Sequence, residues 1–393
     1  MLPTSPSAES PHPPHESYWR LFRRFLRFGF LAWGGPVAQI AMLRQELVAE
    51  ERWISGERFN RVLSIYQALP GPEAHELCVY FGMINRGRWG GLLAGLGFML
   101  PGFGLMFGLS WFYVTYGLGS VGFAAMLMGF QPAVAALIVR AVHRLGGHAL
   151  ANRWLWAIGI GAGALVWAGV AFILVLVGSG VAYSAIRWNE QRRTLVASTF
   201  APLLLVALAG VAAPSLLVLF GYGLRTGLLT FGGAYTAIPF LQHDAVQVGG
   251  WMTDAQFLDG IAISGVLPAP LIIFSTFVGY LGGGPWGALA LTAGVFAPAF
   301  AFTLLGHNLL ERIIENRAFH AFLDGITAGV IGLIVVGTAP LVISGLRTSG
   351  TFDPLRIAIF VASLVVLYRW KARLNVMAVV LGGGAVGALS LLF

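Results

Sequence analysis

The chain has 393 residues, of which 57% are hydrophobic and only 10% are charged, and its formal net charge is +8. Soluble domains carry about 25% charged residues, so this composition, with a mean hydropathy of +0.79, excludes a soluble protein and indicates an integral membrane protein. The positive charges are dispersed among loops rather than clustered on one face, which excludes a nucleic-acid-binding protein.

Residues 1–17 are rich in Pro, Ser and His and predict a disordered tail without a secretory signal. From Tyr18 to Arg27, arginines interleave with aromatic residues, a pattern typical of the headgroup layer of a cytoplasmic leaflet. The N-terminus is therefore predicted to lie inside the cell. The single cysteine, Cys78, excludes an intramolecular disulfide.

Long apolar segments between arginine-marked loops predict an all-α polytopic membrane protein. We divide it into a first repeat (18–190), a linker helix (191–222) and a second repeat (223–393). The first repeat is predicted to contain a span ending near Leu43, a span over 62–85, two further spans up to Arg144, and a tight hairpin over 154–186. The second is predicted to contain spans near 226–241, 260–282, 287–309, 321–341, 355–368 and 374–393.

The two repeats are predicted because the sequence matches itself when displaced by 198 residues. The matched pairs include Gly34 with Gly232, Trp53 with Trp251, Pro70 with Pro268 and Pro72 with Pro270. About six helices on either side of one linker helix place the second repeat upside down and the C-terminus outside. A re-entrant hairpin over residues 62–85 is the alternative that the sequence leaves open.

The stretch Leu69-Pro70-Gly71-Pro72-Glu73-Ala74-His75-Glu76 interrupts an apolar run with two prolines and three ionisable groups. Proline lacks an amide donor and clashes with the preceding turn, so we expect one half-helix to end here and another to begin near mid-membrane. The same pattern returns at Pro268-Ala269-Pro270. Inverted repeats with broken helices at mid-membrane are typical of secondary transporters.

These residues resemble the chromate ion transporter family, in its long-chain, two-domain form. The resemblance covers most of residues 28–345 and depends on Trp33-Gly34-Gly35-Pro36, on Phe231-Gly232-Gly233 and on the Leu-Pro-Gly-Pro-Glu-Ala stretch that begins at Leu69. It implies movement of chromate across the bacterial inner membrane, linked to protons or to the membrane potential.

The substrate-binding candidates are the glycine pairs and the two breaks, because glycine lets the backbone approach an anion and half-helix N-termini attract anions. Close helix packing is the alternative explanation for each glycine pair. The candidates are Gly34, Gly35, Pro70, Gly71, Pro72, Gly232, Gly233, Pro268, Ala269 and Pro270.

Glu73, His75 and Glu76 are candidates for proton coupling, because ionisable residues within a membrane usually mark ion paths or proton relays. We favour Glu73, at the start of the half-helix, as the group that takes up a proton when the anion binds and gives it up after the anion is released. The alternative is that Glu73 only partners the helix dipole. Helical spacing places 73 and 76 on one face and 75 elsewhere.

Gln39, Gln67 and Gln131 are weaker candidates for contacting an oxyanion, because buried amides more often bond between helices. Asp244, Asp254, Asp259 and Asp324 lie near predicted span ends and are expected to be solvated. The sequence contains no motif for a cofactor, a nucleotide or a metal ion.

The sequence thus predicts a secondary transporter of a small inorganic oxyanion, and the interpretation we favour is chromate efflux by alternating access. The alternatives are a transporter of another dianion such as sulfate, an anion channel, and an intramembrane enzyme that uses the three ionisable groups after Pro72. Its partners are the lipid bilayer and the oxyanion, and a homodimer is left open.

Overall fold

The computed structural model describes residues 13–117, 120–190, 214–231, 233–314, 317–370, 372 and 374–392. The first half is helical throughout, and α2 continues into a π-helical turn (Arg44–Glu50). Its helices are α1 (Tyr18–Phe30), α2 (Gly35–Leu43), α3 (Gly56–Ala68), α4 (Glu73–Thr115), α5 (Val121–Ala149), α6 (Arg153–Trp167) and α7 (Phe172–Glu190).

The second half follows the same plan. A 3₁₀ turn (Ala234–Thr236) and a π-helical turn (His243–Val248) flank α9, and a 3₁₀ turn (Leu271–Ile273) precedes α11. The helices are α8 (Leu216–Leu229), α9 (Ala237–Gln242), α10 (Asp254–Gly265), α11 (Phe274–Ile314), α12 (Arg317–Leu346), α13 (Pro354–Arg369) and α14 (Asn375–Leu389), and a short antiparallel pair, β1 (Arg347–Thr348) and β2 (Thr351–Phe352), joins α12 to α13.

Polar caps at the helix starts recur at the displacement of 198 residues. Ser17 and Ser215 each accept the backbone N–H three residues later, at 3.3 Å in both cases, and so begin α1 and α8. Ser55 and Thr253 do the same for α3 and α10, at 3.2 Å. Such caps satisfy amides that the first helical turn leaves unpaired, so equivalent residues fix equivalent helix starts in the two halves.

Helices α4 and α11 each bend at one corresponding place. The backbone angles (φ, ψ) are −143°, 31° at Arg86 and 63°, −159° at Gly87, against −156°, 24° at Gly283 and 61°, −151° at Gly284. The second residue of each pair has a positive φ, which favours glycine. Each helix therefore consists of a short part before the bend and a long part after it.

Helix α3 and the short part of α4 form an antiparallel hairpin with Pro70 at its tip. Near its open end, Arg58 Nε donates to Tyr80 Oη at 3.0 Å. At the same open end, the Asn85 side-chain amide donates to the Pro14 carbonyl and accepts from the Glu16 backbone N–H at 3.2 Å. We call this side of the molecule the Asn85 end.

Helix α1 and the α2 segment form a similar hairpin that returns to the Asn85 end. Arg24, on α1, pairs at 2.5 Å with both Glu16 and Glu51, which follows the π-helical turn. Arg27 pairs with Glu46 on that turn. The corresponding residues in the second half, Arg225 and Asp244, form the same ion pair.

The long parts of α4 and α11 cross each other in antiparallel directions. Gly95, early in the long part of α4, packs against Phe300, late in α11. Gly91, one turn earlier in α4, packs against Leu304, one turn later in α11, so residue numbers rise along one helix as they fall along the other. The long part of α4 ends at Thr115, next to Tyr116, and we call that side of the molecule the Tyr116 end. Gly387, near the C-terminus, packs against Ala125 at this end.

The structure differs from the predicted spans at the helix breaks. The predicted span over 62–85 is a hairpin that returns to the Asn85 end, because Pro72 caps a helix running back along α3. The predicted spans near 226–241 and 260–282 are likewise interrupted, between α8 and α9 and between α10 and α11. In the described residues, the segments long and apolar enough to cross a membrane are Glu73–Thr115, Val121–Ala149, Leu271–Gly306 and His320–Leu346.

Two predicted segments fall largely outside the described residues. These are the first twelve residues of the tail and most of the linker helix, residues 191–213. Of the predicted disordered tail, Pro14 and Glu16 are held by hydrogen bonds to Asn85. Helix α8 starts at Leu216, so it crosses the predicted boundary between linker and second repeat at residue 222.

Candidate functional site

The first helix break docks onto the turn between α8 and α9. Pro70 forms an antiparallel bridge with Phe231, and the Gly71 backbone N–H donates to the Thr230 carbonyl at 2.8 Å. The Pro72 carbonyl accepts from the first turn of α4, which begins one residue later. The break in the first half is therefore fixed by backbone contacts with the second half.

Glu73 lies at the start of α4, where the helix dipole is positive. Its side chain is buried and lies in the first turn of that helix. A carboxylate in the first helical turn stabilises the helix end. This geometry favours the helix-dipole role of Glu73.

Glu76 is fully buried one turn further along α4. Its carboxylate packs against Gly71, where a Cβ would lie 2.9 Å from Glu76 Oε1. Neither carboxylate oxygen has a hydrogen-bond partner in the described part of the chain. An uncompensated buried charge costs several kcal/mol. Of the acidic groups at the break, Glu76 is therefore the one whose charged form is stabilised least by its surroundings.

His75 points away from both glutamates, as helical spacing predicts. Its ring is held edge-on between Phe296 and Phe300 of α11, with centroid distances of 4.9 and 4.8 Å. Among the described residues, neither ring nitrogen has a hydrogen-bond partner. His75 thus contributes to the packing between α4 and α11.

The first glycine pair allows a backbone turn rather than close packing. Gly34 and Gly35 have φ angles of 89° and 77° and form the tip between α1 and α2. A Cβ on Gly35 would meet nothing within 4 Å. Gly233, in the equivalent tip, also has a positive φ, of 114°. Gly232 lies outside the described residues.

The second break is wholly apolar in its side chains. Pro268, Ala269 and Pro270 are buried, and Ala269 packs against Gly102 on the long part of α4. The Ser264 hydroxyl donates to the Leu271 carbonyl at 2.8 Å, which ties the end of α10 to the start of the next helix. Both breaks therefore lie against the opposite half of the chain.

The three glutamine candidates lie in separate places. Gln39 is buried and donates to the Ala32 carbonyl at 2.9 Å, so it secures the α1–α2 tip. Gln67 is exposed on α3, close to the first break. Gln131, on α5, belongs to a polar network on the far side of the molecule.

That network centres on Asp259, which we expected from the sequence to be solvated. The structure buries it on α10, where it accepts hydrogen bonds at 2.9 Å from Tyr113 Oη and Gln131 Nε2. The Gln131 carbonyl oxygen in turn accepts from Arg356 Nη1 at 2.9 Å. The sequence signal was present, because Asp259 follows Phe257 and Leu258 in an apolar segment, but its partners are far away along the chain. Asp244 is also buried, in its pair with Arg225.

Comparison with known proteins yields one family. The sequence profile described as "Chromate transporter" matches residues 19–184 and 217–388. The two matched segments begin 198 residues apart, which is the displacement found within the sequence. No solved structure matches the chain.

Three relatives match most of the chain. A "Chromate transport protein" of Pseudomonas aeruginosa is 53% identical over 389 residues, covering 95% of this chain and 93% of that protein. A "Probable chromate transport protein" of Synechococcus elongatus is 28% identical, over 85% of this chain and 86% of its own. A "Chromate transport protein" of Cupriavidus metallidurans is 28% identical, over 94% and 92%.

Proposed function

The chain belongs to the chromate transporter family, and from that premise we propose that it exports chromate across the bacterial inner membrane as a secondary transporter. The observation that carries this proposal is the 53% identity to a chromate transport protein over nearly the whole of both chains. The dispersed, mostly buried break residues offer no arrangement of nucleophile and base, which weighs against an intramembrane enzyme.

The mechanism we propose is alternating access between two inverted repeats, the first over residues 18–190 and the second from Leu216 onward. The antiparallel crossing of α4 and α11 supports this arrangement, since corresponding helices of inverted repeats run in opposite directions. The hairpins ending at Pro70, at Gly34 and at their counterparts are re-entrant, with tips near mid-membrane. Backbone breaks at that depth are tolerated where they face protein or a water-filled cavity.

We place the Asn85 end in the cytoplasm, with the N-terminus inside and the C-terminus outside. The positive-inside rule supports this orientation. With α3 in a re-entrant hairpin, Arg44, Arg52, Arg58 and Arg61 join the cytoplasmic set. Among the described residues, the arginines toward the Tyr116 end are then Arg225, Arg347 and Arg356.

The oxyanion binds, in this proposal, where the half-helix N-termini meet the glycine turns. The backbone amides that follow Pro72 and Pro270 supply N–H groups, and helix dipoles favour the anion there. Gly34, Gly35 and Gly233 let the backbone present further amides without a side chain in the way. The positive end of α4 also holds Glu73, which keeps this site from binding an anion too tightly to release it.

Membrane potential and protons both contribute to export. A dianion leaving a negative-inside cell gains about 4.6 kcal/mol per 100 mV, which is twice the single-charge value. We assign proton coupling to Glu76 rather than to Glu73, because neither carboxylate oxygen of Glu76 has a hydrogen-bond partner among the described residues, whereas Glu73 lies in the first turn of α4, where the helix dipole stabilises a carboxylate. A proton taken up by Glu76 removes a charge that otherwise repels the dianion.

The test is flux in proteoliposomes that contain the purified full chain. Chromate, sulfate and molybdate are compared under an imposed potential and, separately, under an imposed pH gradient. We expect saturable chromate flux that follows the potential. Flux that does not saturate would identify a channel, and preference for sulfate would correct the substrate.

Glutamine substitutions separate the roles of the two glutamates. Glu76→Gln mimics the protonated group, so it should keep chromate flux while abolishing the dependence of flux on pH. Glu73→Gln should keep the pH dependence and lower thermal stability, because it weakens only the interaction with the helix dipole. If Glu73→Gln abolishes the pH dependence of flux and Glu76→Gln keeps it, then Glu73 is the proton-coupling residue.

A further inference from the structure

Helix α3 presents one polar face that no described helix covers. Glu57, Asn60, Arg61, Ser64 and Gln67 are exposed and recur every three or four residues, so they form one stripe along the helix. The opposite face is buried and carries Phe59, Val62, Ile65 and Tyr66. The stripe runs from the Asn85 end to the break at Pro70.

The corresponding helix of the second half has the opposite character. At the displacement of 198 residues, Asn60, Arg61, Ser64 and Gln67 fall on Leu258, Asp259, Ala262 and Gly265. No residue of α10 is exposed, because α5 and α14 cover it: Asp259 bonds to Gln131, and Gly265 faces Val376 and Val380. In the described part of the chain, α3 packs instead on α4, α11 and the π-helical turn after α2.

A stripe of this composition cannot face lipid hydrocarbon. Placing arginine at the centre of a membrane helix costs roughly 2.5–3.5 kcal/mol, and exposed backbone and amide groups need hydrogen-bond partners there. Residues 195–213, outside the described ranges, contain no charged residue that could pair with Glu57 or Arg61. The outer part of the stripe, with Glu57 and Arg61, borders an open cleft of about 290 Å³.

We propose that the polar face of α3 is the wall of a water-filled path by which the oxyanion travels between the Asn85 end and the first helix break. The proposal deepens the transport function and rests on it. Arg61 attracts the dianion toward the path, and the Gln67 amide donates a hydrogen bond near its inner end. The covered face of α10 closes the equivalent route at the Tyr116 end.

The test uses single cysteines and a membrane-impermeant, anionic methanethiosulfonate reagent on the full chain in proteoliposomes. A cysteine thiolate attacks such a reagent, forms a disulfide with it and releases methanesulfinate, and the thiolate forms in water and not in hydrocarbon. We expect Ser64→Cys and Gln67→Cys to be modified from one side of the membrane only, with Gln67→Cys reacting more slowly because it lies deeper. Molybdate in the bath should slow modification of Gln67→Cys several-fold.

Three control cysteines test whether modification is specific to the polar face of α3. The unmodified chain has only Cys78, which is fully buried and should not react. Ala262→Cys, on the covered face of α10, and Leu217→Cys, on an exposed apolar surface of α8, should not react either. If Ser64→Cys does not insert stably, Asn60→Cys takes its place on the same stripe.

Two outcomes would overturn the path. One is that folded Ser64→Cys and Gln67→Cys resist modification while chromate flux stays normal. The other is that Ser64→Cys crosslinks to itself between two copies, which would make the face a dimer interface. Reactive cysteines in a protein that moves no oxyanion would instead refute the transport function and leave the water-filled face standing.

Arg61 provides a kinetic test of the same path. Arg61→Gln should raise the KM for chromate several-fold with little change in the maximal rate, because it weakens attraction during entry rather than the later conformational change. Arg61→Lys keeps the charge and should restore the KM. An unchanged KM in Arg61→Gln contradicts the role assigned to this arginine.

Discussion

Replacing Arg225 with glutamine should destabilise the protein far more than replacing Arg27, although the two arginines make the same ion pair in the two halves. The difference is burial. Arg225 and Asp244 are 12% and 1% exposed, whereas Arg27 and its partner Glu46 are 55% and 22% exposed. Removing one partner of a buried pair leaves an uncompensated charge and costs about 3–5 kcal/mol. An exposed pair contributes about 0–1 kcal/mol.

The measurement is the free energy of unfolding of Arg225→Gln and Arg27→Gln, from titration of detergent micelles with dodecyl sulfate and tryptophan fluorescence. The expected gap between the variants is at least about 2 kcal/mol. Adding Asp244→Asn to Arg225→Gln should recover most of the loss, because the neutral amide needs no counter-charge.

A residual loss in that double variant measures a separate contribution. The Arg225 guanidinium lies over the rings of Phe172 and Tyr222, at 4.9 and 5.4 Å, so its removal also costs packing. Equal destabilisation of Arg225→Gln and Arg27→Gln, or no recovery on adding Asp244→Asn, would refute the reasoning that burial sets the cost.

Three further predictions concern the break, the polar network and the topology. Changing Pro70 and Pro72 together to alanine should let α3 and α4 join into one helix and should separate the break from Phe231 in the second half. Chromate flux should then fall while expression stays intact. Normal flux in this variant would show that the break is only a packing kink. Tyr113→Phe removes a hydrogen-bond donor to the buried Asp259 carboxylate and should lower the free energy of unfolding by about 1.5–3 kcal/mol in the same titration. A loss below about 0.5 kcal/mol would show that another group satisfies this carboxylate. Reporter fusions after Arg193 and at Phe393 should report opposite sides of the membrane, and the same side for both would remove the inverted arrangement.

The positions of the helix breaks could be predicted from sequence, but the path of the chain after them could not. Pro70 and Pro268 mark breaks that the structure contains, because each is followed two residues later by a second proline and the pair removes two amide donors from one turn. Single prolines, such as Pro101 in α4 and Pro132 in α5, lie inside helices that continue through them. Hydropathy reports how long an apolar segment is and says nothing about whether the chain crosses or turns back. The hairpin that ends at Asn85 depends on contacts with Pro14 and Glu16, about 70 residues away in sequence.

The candidate site shows the same division. The sequence pointed to the ionisable residues after Pro72, and in the structure His75 packs against Phe296 of α11 while Glu76 packs against Gly71. The role of Asp259 was missed, because Tyr113 is 146 residues away in sequence and no local pattern joins them. Whether a carboxylate is solvated or bonded is decided by tertiary packing, which a single sequence does not display.

The burial of the only cysteine has a consequence for the cargo we propose. Chromate is a strong oxidant, and thiolates are among the side-chain groups most easily oxidised. Cys78 has no exposed surface and packs among apolar side chains, so its thiol stays away from both water and any passing anion. A carrier built in this way handles an oxidising cargo without offering it an exposed sulfhydryl group.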